Sequence, residues 1–163
     1  MRLSSGIASS LLALAAFCIS GVAHADHRGD AIGMATFHGV GEIQEFAPDF
    51  VVWNGEFWGE SVRDSQSGPL HRGAWYCTGE QVLQGGVTQW GGGFCVITDV
   101  DGDTVNVKWV ATKGYLGLDI DTGGDYFSGT GKYEGITGNY TFFCENVAGS
   151  HFFCSVTGAE YSD

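Results

Sequence analysis

The stretch from Tyr126 to Cys144, YFSGTGKYEGITGNYTFFC, constrains the fold more than any other part of the chain. Gly129, Gly131, Gly135 and Gly138 punctuate positions that are otherwise largely aromatic or β-branched. Glycine is unfavourable inside helices, whereas Tyr, Phe, Thr and Ile suit a pleated surface. The segment therefore reads as a strand, a Gly-Thr-Gly-Lys corner, and a second strand reached through Gly135-Ile136-Thr137-Gly138. Glycines at such corners let a sheet bend sharply enough to close on itself.

The same pattern extends along the chain. Glycine occupies 27 of 163 positions and proline only two, so the composition is neither collagen-like nor that of a disordered chain. No segment carries sustained helical periodicity, and turn signals recur at the spacing of short strands. Candidate strands lie at 34–46, 50–62, 74–83, 87–99, 104–112, 117–128, 135–145 and 151–161. Eight strands in simple succession suit an up-and-down antiparallel barrel, which leaves no exposed edge; a β-sandwich is the rival arrangement.

The run Gly129-Thr130-Gly131-Lys132-Tyr133, followed by Gly135-Ile136-Thr137-Gly138, resembles the glycine-rich hairpin of the allene oxide cyclase barrel-like family. Plant dirigent proteins share a similar Gly-Thr-Gly corner, and residues 95–103 carry a weaker echo. The resemblance implies an all-β, eight-stranded (calycin-like) barrel with a small hydrophobic lumen, and a trimeric assembly. The matched motif holds no catalytic residue, so no activity carries over with it.

Residues 1–25 read as a cleaved signal peptide. Met1-Arg2 is a short basic start, residues 11–19 are apolar, and Ala23-His24-Ala25 is a small-x-small cleavage site. The expected mature chain, 26–163, is a single domain, secreted or periplasmic, and no later apolar run reaches membrane-spanning length. Arg2 is the only charge in 1–25, so cleavage makes the net charge one unit more negative than −12. Such a balance repels phosphate backbones and anionic lipid, which argues against nucleic acid and membrane-surface partners.

Cys18 leaves with the signal, and Cys77, Cys95, Cys144 and Cys154 remain. An even count in an exported chain points to disulfides, with three connectivities open. Strand geometry favours two hairpin bridges. Cys144 and Cys154 are symmetric about Ala148-Gly149-Ser150, and Cys77 and Cys95 about Gly85-Gly86-Val87, so each pair falls opposite across antiparallel strands. A zinc site is disfavoured because no C-x₂-C pair exists. Asp99 to Asp103 is similar to a calcium loop but lacks the glycine and glutamate an EF-hand requires at its sixth and twelfth positions. No metal or cofactor is expected.

Two hairpins are phased further. With Asp101-Gly102 as a type I′ tip, Phe94 faces Trp109, Val96 faces Val107 and Thr98 faces Val105, leaving Cys95 and Ile97 on the other surface. Continuing through Cys77 opposite Cys95 adds Tyr76, Val82, Trp90 and Glu80 to the apolar face, with Gly92 opposite Glu80. A bulge in Gly91-Gly92-Gly93 would instead turn Glu80 outward. The expectation is a cavity lined by Tyr76, Trp90, Phe94 and Trp109. In that setting Glu80, or Glu56, would be a carboxylate placed for proton transfer. His151 with Glu145 is a weaker candidate unit, better read as a surface pair.

No Gly-x-Ser-x-Gly elbow, His-Glu-x-x-His signature or phosphate-cradling loop occurs. The leading functional expectation is an exported barrel binding a small hydrophobic or aromatic molecule in its lumen. The alternatives are a cofactor-independent cyclase or isomerase using a lumenal carboxylate, and a packed structural barrel with no ligand. Whether the protein is an enzyme stays open at this point.

Overall fold

Strand alternation and glycine-bearing turns produce one antiparallel sheet that closes on itself. The computed structural model describes residues 33–66, 70–115 and 118–162. The signal-peptide expectation falls on residues 1–25, which lie outside the described residues. The strands are β1 (Gly33–Ala47), β2 (Phe50–Arg63), β3 (Gly73–Gln84), β4 (Val87–Thr98), β5 (Thr104–Tyr115), β6 (Leu118–Gly129), β7 (Thr137–Ala148) and β8 (His151–Ser162). Each pairs with the next, and β8 returns to β1, so the sheet is a closed eight-stranded barrel. The β1–β8 seam is the shortest ladder, running from Gly33 opposite Val156 to His38 opposite His151. Among the described residues no helix is long and apolar enough to cross a membrane.

Both expected disulfides are present, Cys77–Cys95 and Cys144–Cys154, with Cα separations of 3.9 and 4.0 Å. Their turns are tighter than the three-residue loops expected. Gln84 pairs with Val87 across Gly85 (φ 59°) and Gly86 (φ 81°), and Ala148 pairs with His151 around Gly149 (φ 58°). A β-bulge in each hairpin, at Val82/Leu83 and Asn146/Ala148, absorbs the extra residue and keeps the cysteines opposite.

The β4–β5 hairpin corrects the expected register. Thr98 pairs with Thr104, Val96 with Asn106 and Phe94 with Lys108, one residue away from the arrangement a tight Asp101-Gly102 turn would give. The loop holds five residues because the buried Asp99 carboxylate organises it, accepting hydrogen bonds from the amides of Asp101 (2.8 Å) and Asp103 (3.1 Å). A one-residue slip exchanges the faces of one strand relative to the other. Cys95 and Ile97 therefore point inward with Val105, Val107 and Trp109, while Phe94 and Val96 point out.

Five of the 27 glycines form a belt. Gly41, Gly55, Gly79, Gly93, Trp109, Gly124 and Tyr140 are successive cross-strand partners around the barrel. Three aromatic side chains fill the space that the missing side chains leave. A Cβ on Gly41 or Gly55 would meet the Trp53 ring at 2.4 and 2.3 Å, one on Gly79 would meet Trp109 at 2.3 Å, and one on Gly124 would meet the Tyr140 hydroxyl at 2.5 Å. Alternating none-and-large side chains is how a narrow barrel accommodates rings.

The glycine-rich corner lies at one end of the barrel. A single 3₁₀ turn, Gly131–Tyr133, buries Tyr133 beside Leu70 and Ile136. The Tyr133 hydroxyl donates to Asp99 (3.0 Å) and accepts from the Leu70 amide (2.9 Å), while Lys132 forms ion pairs with Asp99 and Asp101. Burial works against the Asp99 charge, but the bonds from Lys132, the Asp101 amide and Tyr133 outweigh it and hold the carboxyl below its ordinary range. Burial, with the Asp99 bond adding to it, pushes the Tyr133 phenol up to about 12.

Candidate binding lumen

The inward positions of the barrel carry aromatic rings alongside a fully buried aliphatic set, Leu83, Ile97, Val105 and Val107. Phe37 on β1, Trp75 on β3 and Phe142 on β7 meet edge to face, with centroids 5.5 to 6.0 Å apart. With Tyr140 they form a septum across the barrel, and Trp75, Tyr140 and Phe142 border a cavity on each side of it.

The larger cavity has a volume of about 80 Å³ and opens to solvent. Trp53, Phe57, Trp109 and Phe152 form its walls, and the half-buried Phe57 stands against the other three at 4.9, 6.1 and 6.2 Å. Sulfurs of both disulfides border it. Its polar side chains are few. Gln81 is buried and donates to the Thr88 hydroxyl (2.5 Å), Thr122 lies beside it, and the Trp109 indole N–H is turned to the Thr78 carbonyl (3.3 Å). Among the described residues no carboxylate lines this space. Beyond the septum, a smaller cavity of about 30 Å³ includes Arg63 and Ser61 in its lining, and Ser61 accepts the Trp75 indole N–H (2.9 Å). Burial pushes the Tyr140 phenol well above its usual value, with Tyr126 and Asp125 adding to the shift, so the septum is neutral.

Of the residues expected to line the lumen, only Trp109 does so, at 8% exposure. Tyr76, Trp90 and Phe94 are 41, 46 and 57% exposed and stand on the outer surface. Glu80 and Glu56 share that outer face and are half-buried. The cross-strand pairs Cys77–Cys95, Tyr76–Val96, Val82–Trp90 and Glu80–Gly92 are present as expected. What differs is the side of the sheet: the disulfide face is the lumen face. The expected lumenal residues are nevertheless gathered, since Glu56, Glu80, Trp90 and Phe94 border one open groove outside the barrel.

Phe37, Trp53, Phe57, Trp75 and Phe152 are wall residues that the sequence reading did not assign. A signal for Trp75 existed, because cysteine is among the most buried residue types. Placing Cys77 inward would have carried Trp75 and Gln81 in with it by period two. His151 stacks on His38 across the β1–β8 seam, with centroids 4.5 Å apart, and the Ser150 hydroxyl lies 3.1 Å from His38 Nδ1. The chain matches no family model, no curated protein and no solved structure.

Proposed function

We propose that the protein is an exported barrel that holds a small hydrophobic or aromatic molecule in its lumen. The observation carrying this reading is the larger cavity, lined by eight aromatic residues and bordered by two disulfides, with Gln81 and Thr122 among its polar side chains. Flat apolar walls with one or two fixed polar groups favour a guest of the same character. Export, release near Ala25 and a trimeric assembly belong to the same proposal. Two disulfides in a small acidic chain support an oxidising compartment. A cyclase or isomerase reading lacks support from the lumen, whose lining among the described residues contains no carboxylate to move a proton.

The test is mass spectrometry of the natively purified protein, followed by titration with the retained molecule or with 1-naphthol as a neutral aromatic probe. Saturable quenching of tryptophan fluorescence is expected, since Trp53, Trp75 and Trp109 border the cavity. Trp53→Ala and Phe57→Ala should change the affinity, and Trp90→Ala should not. Absence of any retained molecule together with no saturable quenching would favour the packed-barrel alternative.

A further inference from the structure

Gly92 leaves a gap in the outer face of β4. Trp90 and Phe94 lie two residues to either side of it, on the same side of the pleat. Trp90 leans over the gap, for a Cβ on Gly92 would sit 3.3 Å from its Cζ2, and 46% of the residue remains open to solvent. The cross-strand partner of Gly92 on β3 is Glu80, and the same row continues through Asn54 on β2 to Glu42 on β1. Glu56 stands in the neighbouring row, its carboxylate accepting the Tyr76 hydroxyl (3.0 Å). Glu42, Asn54, Glu56, Glu80, Trp90 and Phe94 border an open groove of about 1340 Å³, solvent included, and Lys108 is the one cationic side chain among the described residues of its lining.

We propose that this groove, on the outer face and sharing Trp109 with the lumen lining, is a binding site for a small organic cation bearing an alkylated ammonium group. An exposed indole beside carboxylates matches the needs of such a group. Its charge is diffuse and weakly hydrated, it gains most from the face of a tryptophan, and it loses little on leaving water. Glu42, Glu56 and Glu80 against Lys108 leave the groove two units negative, and the chain as a whole carries −12. That field draws cations toward the groove and repels anions. A neutral sugar would use the indole platform but gain nothing from the surplus of carboxylates.

The test is titration of the full protein with choline chloride, followed through the indole N–H resonances. The neutral isostere 3,3-dimethylbutan-1-ol and methyl glucoside serve as comparisons. Choline should shift the Trp90 resonance saturably, and the isostere should bind roughly tenfold more weakly. Trp90→Ala should lower choline affinity roughly tenfold and Glu80→Gln severalfold, with far-ultraviolet circular dichroism unchanged because both side chains lie on the outer face. Choline should also bind when the lumen already holds 1-naphthol, so this site stands or falls independently of the lumen. Equal binding of the isostere, a Trp90 response to methyl glucoside but not to choline, or unaltered affinity in Glu80→Gln would overturn the proposal. Should a variant fail to fold, the comparison of choline with its isostere on the unaltered protein decides the matter.

Discussion

Trp109 occupies the space that a side chain on Gly79 would need: a Cβ there would lie 2.3 Å from Trp109 Cζ2. The two residues stand on β3 and β5, one strand apart, with Gly93 the partner of both. The missing side chain and the bulky ring are therefore a single packing feature. Gly79→Ala should destabilise the protein by about 1–3 kcal/mol through overpacking. Gly85→Ala is the comparison, because nothing lies within 4 Å of the added methyl and only its positive φ opposes the change, at about 1 kcal/mol. Urea unfolding of both variants measures the difference, and equal midpoints would dismiss the packing account.

The disulfides close short loops, with sequence separations of 18 and 10. Chain entropy assigns each about 3 kcal/mol of stabilisation. Replacing Cys144 and Cys154 together by alanine should lower stability by roughly that amount and leave the Cys77–Cys95 peptide intact in a non-reduced digest. In the unaltered protein, a peptide joining Cys77 to Cys144 would contradict the ladder itself.

The Lys132–Asp99–Tyr133 cluster should respond to acid. The Asp99 carboxyl is held below its ordinary value, so its contribution is fully present above the unfolded carboxylate pKa, near 4. That contribution is lost as pH falls through the lower folded value, because the unfolded state then takes up a proton that the folded state resists. Thermal melts should show the midpoint falling below about pH 4, and Asp99→Asn should flatten that part of the profile. An unchanged slope in Asp99→Asn would exclude the Lys132–Asp99–Tyr133 cluster as its source.

Phe57 is half-buried among Trp53, Trp109 and Phe152, so its ring limits the width of the larger cavity. Phe57→Ala should cost about 2–4 kcal/mol in stability and allow a bulkier aromatic guest to bind. Guest size is read from the quenching amplitude of a series running from one to three fused rings. Glu80→Gln and Glu56→Gln should leave that series unchanged, since both carboxylates are on the outer face.

Strand positions, the antiparallel class and both disulfides follow from local sequence. Period-two alternation, glycine-bearing turns and cysteine symmetry act over a few to about twenty residues, and they operate whatever the rest of the chain does. The pairing of Glu80 with Gly92 and of Tyr76 with Val96 was legible for the same reason.

Which side faced inward was decided by tertiary structure. The Asp99–Asp103 loop takes five residues because Lys132 and Tyr133, some thirty positions away, dock on a buried carboxylate. That distant contact shifts one hairpin by a single residue, and period two turns such a shift into an exchange of faces. The glycine belt has the same character. Gly41, Gly55, Gly79 and Gly93 look like unrelated turn or bulge residues in the sequence, and only the closed register aligns them as a channel for Trp53 and Trp109. Sequence alone determined the strands and their bridges; closure of the barrel decided which residues meet across it, because that depends on contacts far apart in the chain.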